Sequence, residues 1–121
     1  MIDYFEIKIR NFEQCVEFYR CVLDPLDIEP KWSSESAAGY GQINDDERIL
    51  FLIEKDSPSS NLHIAFKAAN ESKVKAFHNV GYKNGYQCNG KPGLRLKYVP
   101  GYYAAFLYDP DGNNIEAVYR Q

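Results

Sequence analysis

A histidine and a glutamate, both able to bind a metal ion or move a proton, stand on predicted strands of this chain. His63 shares one strand face with Lys67, and Glu116 shares a face of the last strand with Asn114 and Val118, because side chains alternate along a strand. An inward histidine or carboxylate is unfavourable unless it is paired or bound to something. We therefore interpret His63 as a ligand or a base in a cleft, or as an inward histidine satisfied by hydrogen bonds. Glu116 has the same two interpretations.

The strands that carry these residues belong to an internal repeat. In each half of the chain the pattern predicts a strand, a helix and then further strands. One constant offset aligns Tyr4 with His63, and the same offset aligns Phe18 with Phe77 on the two helices. Because a repeat of this length sets the architecture, it predicts two copies of one module.

The predicted elements give an α+β fold class. We expect one domain of two tandem βαβββ modules, about residues 1–57 and 61–121, which form a curved mixed sheet trough with helices on the outer face. Alternation of apolar residues indicates the strands, and a one-sided apolar stripe indicates the helices. The predicted elements are strand 2–10, helix 12–23 with Asn11 as its cap, strands 28–33, 37–43, 48–54 and 62–68, helix 71–82, and strands 86–89, 95–98, 103–108 and 114–120.

The composition is that of a globular protein, with 45% hydrophobic residues, 26% charged residues and a net charge of −3. Nothing in this balance favours nucleic acid or a membrane surface as a partner. Cys15 and Cys21 point about 120° apart on a predicted helix, which excludes a bridge between them. We therefore expect reduced thiols, a cytoplasmic location and no signal peptide.

Two phrases of the sequence, together with the repeat, resemble a known superfamily. They are YVPGYYAAF at residues 98–106 and DPDGNNIEAV at residues 109–118, a turn that leads into a strand with an inward glutamate. The chain resembles the vicinal oxygen chelate superfamily, which includes glyoxalase I, fosfomycin-resistance thiol transferases, extradiol dioxygenases and bleomycin-binding proteins. The resemblance covers essentially the whole chain.

The resemblance implies a metal site made by a histidine of the first strand, a histidine of the fifth strand and a glutamate of the last strand. His63 and Glu116 match the second and third of these ligands, and Tyr4 stands at the place of the first. A phenol must lose a proton before it binds a metal ion well. We therefore expect a divalent metal (Zn, Ni, Mn or Fe) to be bound weakly or not at all, and Glu6 or Glu54 are alternative oxygen ligands.

Two functions follow from the resemblance. The first is a metal-dependent lyase or dioxygenase in which Glu116 is a catalytic ligand or base. The second is a non-catalytic, bleomycin-resistance type of protein that binds a small molecule in the trough, and a relic site is a third possibility. The expected cleft tyrosines are Tyr98, Tyr102 and Tyr103, and the wider aromatic lining adds Tyr4, Trp32 and Tyr40.

Three further expectations concern single residues and assembly. His78 lies on the inner side of the second helix and is expected to be packed in the core, while Cys88 is either a cleft thiol or a buried, inert cysteine. Gly101 and Gly112 are expected to need positive φ angles. The sheet edges need a partner, so we expect a homodimer.

Overall fold

The first half of the chain folds as one βαβββ module. The computed structural model describes residues 2–58, 60–95 and 100–121. The amphipathic segment that follows the first strand forms a helix, which ends in a 3-10 turn at Asp24–Leu26 where Pro25 begins a change of direction. The elements are β1 (Phe5–Ile9), α1 (Phe12–Leu23), β2 (Ile28–Ser33), β3 (Ala37–Gln42) and β4 (Phe51–Lys55).

The second half repeats this order of elements. The side chain of Asn70 accepts a hydrogen bond from the backbone N–H of Lys73 and so caps the second helix. The elements are β5 (His63–Lys67), α2 (Glu71–Lys83), β6 (Cys88–Leu94), β7 (Tyr102–Tyr108) and β8 (Asn114–Arg120). The predicted α+β class and the two βαβββ modules are therefore confirmed.

The two modules form two four-stranded mixed sheets with the same topology. The strand orders are β1-β4-β3-β2 and β5-β8-β7-β6, and in each sheet the first and last strands of the module are parallel neighbours. The register repeats as well: Phe5 pairs with Phe51 as Ile64 pairs with Ile115. This register makes each position of one module comparable with a position of the other.

One hydrophobic core fills the space between the helices and the helix-covered faces of both sheets. It contains Ile7 of β1, Phe18 of α1, Phe77 of α2 and Ile115 of β8, all of them buried. Aromatic contacts cross between the modules, because the Phe66 ring lies 5.6 Å from the Phe51 ring. The opposite side of each sheet, which we call its open face, is not covered by these helices.

The turn between β7 and β8 joins the modules by hydrogen bonds. Asp109 is buried and accepts the hydroxyl of Tyr19 from α1, while Asp111 accepts the backbone N–H groups of Arg10 and Asn11. Burial and the nearby carboxylate of Asp109 raise the pKa of Tyr19, which keeps this hydroxyl protonated as a donor. Asn11 is the N-cap residue of α1 as expected, but its side chain makes no capping hydrogen bond and its amide donates to Asp111 instead.

Two glycines have the backbone conformation that the sequence predicted. Gly112 has φ 88° and Gly101 has φ 80°, in the left-handed region that L side chains rarely adopt. Both positions are also crowded, since an added Cβ would lie 2.9 Å from Asn61 at Gly112 and 2.9 Å from Gln121 at Gly101. Larger residues at these positions would strain the turns that begin β7 and β8.

The segment after α2 differs from the prediction. A single strand, β6, spans Cys88–Leu94, where strands 86–89 and 95–98 were predicted; residues 96–99 are not described. Pro92 lies inside this strand, although proline is disfavoured within a sheet. It is tolerated because β6 is an edge strand with register shifts between Cys88 and Gly90 and between Gly90 and Gly93. Among the described residues, no helix is long and apolar enough to cross a membrane.

Candidate functional site

A hydrogen-bonded cluster of three side chains lies on the open face of the second sheet. Glu116 is almost fully buried at 2% exposure, and its Oε1 lies 2.8 Å from Nε2 of His63. The hydroxyl of Tyr102 donates to Oε2 of the same carboxylate. The three residues come from β5, β8 and β7, so the sheet itself positions them. Both carboxylate oxygens therefore have a partner, which allows Glu116 to be buried.

Strand register explains why these residues meet. Ala65 pairs with Glu116 in the parallel β5–β8 ladder, and Phe106 pairs with Glu116 in the antiparallel β7–β8 ladder. His63 lies two residues before Ala65 in β5, so both side chains point to the same face. The imidazole of His63 is half exposed, with 52% of its side chain accessible. The cluster thus extends from a buried carboxylate to solvent.

Apolar and cationic groups surround the cluster. Phe106, Ala104 and Val118 form a small second hydrophobic cluster on the open face. The guanidinium of Arg95 lies 5.4 Å from the centre of the Phe106 ring, and that of Arg120 lies 5.4 Å from the centre of the Tyr102 ring. These distances are typical of cation–π contacts.

A cavity adjoins the cluster on this face. Its volume is about 800 Å³, and its lining includes Tyr102, Val118, Lys67 and Arg120. A second cavity of the same volume lies between α1 and the β7–β8 turn, lined by Glu17, Tyr86 and other residues that do not belong to the cluster. We take the cavity beside Tyr102 as the candidate binding site, because only this one combines space with the hydrogen-bonded cluster.

Of the three predicted cleft tyrosines, the structure places one in the site. Tyr102 bonds Glu116, whereas Tyr103 packs in the main core on the helix side, where Lys75 of α2 lies 5.9 Å from its ring centre. The prediction for Tyr103 was wrong because two consecutive strand residues point to opposite faces. Tyr98 lies outside the described residues.

The other aromatic residues predicted to line the trough also divide between the core and the open face. Tyr40 is buried and its hydroxyl donates to the carbonyl oxygen of Val16 in α1, so it does not line the open face. Trp32 remains 46% exposed and lies over Gly39 of the neighbouring strand, where an added Cβ would meet the indole nitrogen at 2.9 Å. The missing side chain at Gly39 gives the indole its place on the open face of the first sheet.

The residues predicted for the first module do not join the cluster. Tyr4 precedes β1 and is 53% exposed, and in the described part of the chain it makes no hydrogen bond to His63 or Glu116. Glu6 and Glu54 instead surround Lys8, with Glu54 in a direct ion pair and Glu6 at 3.9 Å. Among the described residues, no hydrogen bond therefore joins the third predicted ligand to the other two within one chain.

The donor set does not fit a complete metal site within residues 2–58, 60–95 and 100–121. In these ranges no group of three His, Cys, Asp or Glu side chains is placed to hold a metal ion. A tetrahedral ion would hold its nitrogen and oxygen ligands roughly 3.4 Å apart, wider than the 2.8 Å hydrogen bond between His63 and Glu116. The carboxylate's other oxygen bonds Tyr102. One chain supplies two donors, whereas protein metal sites generally use three or four.

Comparison with known proteins gives matches among solved structures only. No family model and no curated protein matches the sequence. Among solved structures, a glyoxalase/bleomycin resistance protein from Albidiferax ferrireducens is 28% identical, with a TM-score of 0.79 over 100% of this chain and 99% of that one. The chain has the fold of the vicinal oxygen chelate superfamily, and its resemblance to that superfamily is confirmed.

Other structures of the superfamily share the fold at lower identity. Lactoylglutathione lyase from Agrobacterium tumefaciens is 14% identical, with a TM-score of 0.72 over 98% of this chain and 92% of that one. The fosfomycin resistance protein FosX from Mesorhizobium loti is 16% identical, with a TM-score of 0.70 over 100% of this chain and 92% of that one. At such identities the likeness shows the fold alone, so the activity of this protein has to be argued from its own residues.

Sequence reasoning missed the cations of the open face. The alternation that placed Glu116 and Val118 on one face continues to Arg120, which was not considered. Arg95 was not identifiable in this way, because it reaches Phe106 from beyond the end of β6 and its position depends on how the chain turns there.

Proposed function

We propose that this protein binds a small anionic molecule with an apolar part on the open face of the second sheet. The observation that carries the proposal is the His63–Glu116–Tyr102 cluster beside a cavity of about 800 Å³ lined by Lys67 and Arg120. A concave site with a few convergent polar groups on an apolar floor is typical of small-molecule sites.

The charge of this face favours an anion. Lys67 lies opposite Val118 in the β5–β8 ladder, and no carboxylate forms an ion pair with it among the described residues. In the first module the equivalent lysine, Lys8, lies opposite Glu54 and is neutralised by it. Lys67 and Arg120 therefore remain available to a carboxylate, sulfonate or phosphate group, and Arg120 offers the fork geometry that such groups match.

The cluster supplies orientation and a proton acceptor. When Nε2 of His63 carries the proton that Glu116 accepts, Nδ1 is the basic nitrogen of the ring. The ring is half exposed, which leaves it accessible to a ligand hydroxyl or carbon acid on the open face. Glu116 holds the ring in its orientation, which is the role of a buried carboxylate behind a histidine base.

A metal-dependent lyase or dioxygenase is the second candidate. What favours it is that His63 and Glu116, a histidine and a carboxylate of the kind that binds divalent ions, already contact each other. Zn, Ni, Mn or Fe would then need a third protein ligand.

A titration with 1-anilinonaphthalene-8-sulfonate tests the binding proposal, because this probe combines an aromatic body with one anionic group. Lys67→Ala should weaken its binding about threefold to tenfold, the loss expected for one charged contact at a half-exposed site. Lys8→Ala is the matched control, since it removes the equivalent lysine of the other module. Equal affinities for the wild type and both variants, or an equal loss in both variants, would contradict the proposal.

We also propose that the protein is a homodimer. Each sheet leaves two edge strands, β1 and β2 in the first and β5 and β6 in the second, and unpaired edges are usually covered. Large apolar side chains, Tyr4 and Trp32 among them, are exposed beside the first sheet. Light scattering at tens of micromolar should give twice the monomer mass of 13.9 kDa. A monomer mass at that concentration would argue against the dimer.

A further inference from the structure

A second histidine lies in contact with a cysteine, away from the cluster on the open face. Nε2 of His78, on α2, is 3.1 Å from Sγ of Cys88, the first residue of β6. Cys88 pairs with Leu107, whose side chain belongs to the main core, so the thiol is on the helix side of the sheet. The His63–Glu116–Tyr102 cluster occupies the opposite side. Neither His78 nor Cys88 is used in the proposed binding site.

We propose that Cys88 is a site of covalent modification by soft carbon electrophiles of the α,β-unsaturated carbonyl class, with His78 as its proton acceptor. A thiol becomes a nucleophile when a base takes its proton, and a histidine within hydrogen-bond reach is the usual base for a cysteine. The 3.1 Å contact satisfies that geometry in the folded chain.

The surroundings of His78 suit this role. Its ring stacks on Tyr82, one helical turn further along α2, with the ring centres 6.1 Å apart and the planes at 10°. Burial, with a smaller contribution from the charge of Lys91, lowers the pKa of His78, so the ring is neutral and able to accept a proton at neutral pH.

A groove between α2 and β6 opens beside His78, the partner of Cys88. The groove has a volume of about 430 Å³ and is lined by His78, Tyr82, Lys75 and Pro92. Cys88 itself is half-buried, whereas Cys15 and Cys21 are buried in α1. Burial raises the pKa of both helix thiols, which makes them poor nucleophiles. Cys88 is therefore the candidate nucleophile, and the two helix thiols serve as internal controls.

The reaction is an addition in which atoms and electrons balance. The proton of the Cys88 thiol passes to Nε2 of His78 while a sulfur electron pair forms a bond to the β-carbon of the unsaturated carbonyl compound. The π electrons of the carbon–carbon double bond move to the α-carbon and the carbonyl oxygen. The enolate then takes a proton back from His78, which leaves a thioether and the neutral ring. No oxidant or reductant takes part.

The test is alkylation by limiting N-ethylmaleimide, an α,β-unsaturated imide, followed by peptide mass spectrometry at each cysteine. In the native wild type we expect Cys88 to react on the order of tenfold faster than Cys15 or Cys21, and faster than Cys88 of the same chain in urea. His78→Asn should slow Cys88 on the order of tenfold, while His63→Asn, which removes the other histidine, should leave its rate unchanged.

Three outcomes would overturn the inference. The first is an unchanged rate at Cys88 in a His78→Asn protein that melts like the wild type. The second is a native rate at Cys88 that does not exceed the rate in urea, a comparison that needs only the wild type and stands even if His78→Asn fails to fold. The third is an equal slowing by His63→Asn, because the effect would then not come from the His78–Cys88 contact.

Discussion

The open faces of the two sheets are built from one repeat but carry different chemistry. The register that pairs Ile64 with Ile115 and Phe5 with Phe51 makes Leu52 the counterpart of Glu116. Tyr4 is likewise the counterpart of His63. The second face thus has a hydrogen-bonded imidazole and carboxylate where the first has an exposed phenol and an apolar side chain. A repeat conserves the backbone that holds a site, but each copy of the site depends on its own side chains.

The two equivalent lysines of the repeat show the same contrast between the modules, here in the charge of each open face. Lys8 and Lys67 are equivalent in the repeat, yet Lys8 is paired with Glu54, and Lys67 faces Val118. A single exchange of glutamate for valine therefore separates a self-neutralised face from one that attracts anions. This difference is the reason that we assign ligand binding to the second face only.

The turns that precede the last strand of each module differ even more. In the second module Asp109 is buried and accepts the hydroxyl of Tyr19, two backbone N–H groups and the amide of Asn113. In the first module the corresponding loop contains Asp45, which is partly exposed and whose Oδ1 accepts the backbone N–H of Glu47 at 3.3 Å. One turn joins the two modules, and the other only reverses the chain.

Of the predicted changes, removal of the buried Asp109 carboxylate should have the largest effect. Asp109→Ala should lower the free energy of unfolding by about 3 kcal/mol, because several buried donors lose their acceptor at once. Asp45→Ala should change it by less than about 0.5 kcal/mol, as surface substitutions usually do. Urea denaturation of both variants measures the difference. Similar losses in the two variants would mean that the β7–β8 turn does not join the modules.

A smaller effect is expected from restoring a ligand type to the first face. Tyr4→His should raise affinity for Zn, Ni or Mn about tenfold, or about 1.4 kcal/mol, over a wild type that we expect to hold little metal. Because no hydrogen bond joins Tyr4 to His63 among the described residues of one chain, the gain should need a second copy and grow with protein concentration. Tyr4→His/His63→Ala is the control that should lose it.

Two results of this titration would change the assignment. Tight stoichiometric metal in the wild type that disappears in His63→Ala would restore the metal-dependent enzyme as the first candidate. No gain on Tyr4→His at any protein concentration would mean that Tyr4 does not stand at a ligand position, and that the register between the modules does not extend to the site.

Much of the fold could be predicted from local patterns. The two amphipathic helices and most strands follow directly from the spacing of apolar residues, and the positive φ of Gly112 follows from an Asp-Gly turn. β6 could not be predicted in this way, since Pro92 and Gly93 are tolerated there only because the strand lies at an edge. Whether a strand lies at the edge or at the centre is a property of the whole sheet, and the sequence of the segment does not specify it.

The candidate site was also predictable only in part, because local patterns identify some of its residues but not the contacts between them. Alternation and the repeat nominate His63 and Glu116, whereas the bond from Tyr102 to Glu116 depends on the pairing of β7 with β8. The sequence also gave no sign that His78 and Cys88 touch, because that contact requires α2 to pack across β6.

The sequence by itself determined the two modules, the order of their elements and the face of each strand on which a given side chain lies, because these depend on periodicity and on turn residues close in the chain. Only the tertiary structure decided that His63 and Glu116 meet, that Tyr4 does not join them, and that Lys8 is neutralised while Lys67 is not. Such contacts join residues from distant strands, and their existence depends on pairing and packing that no local pattern specifies.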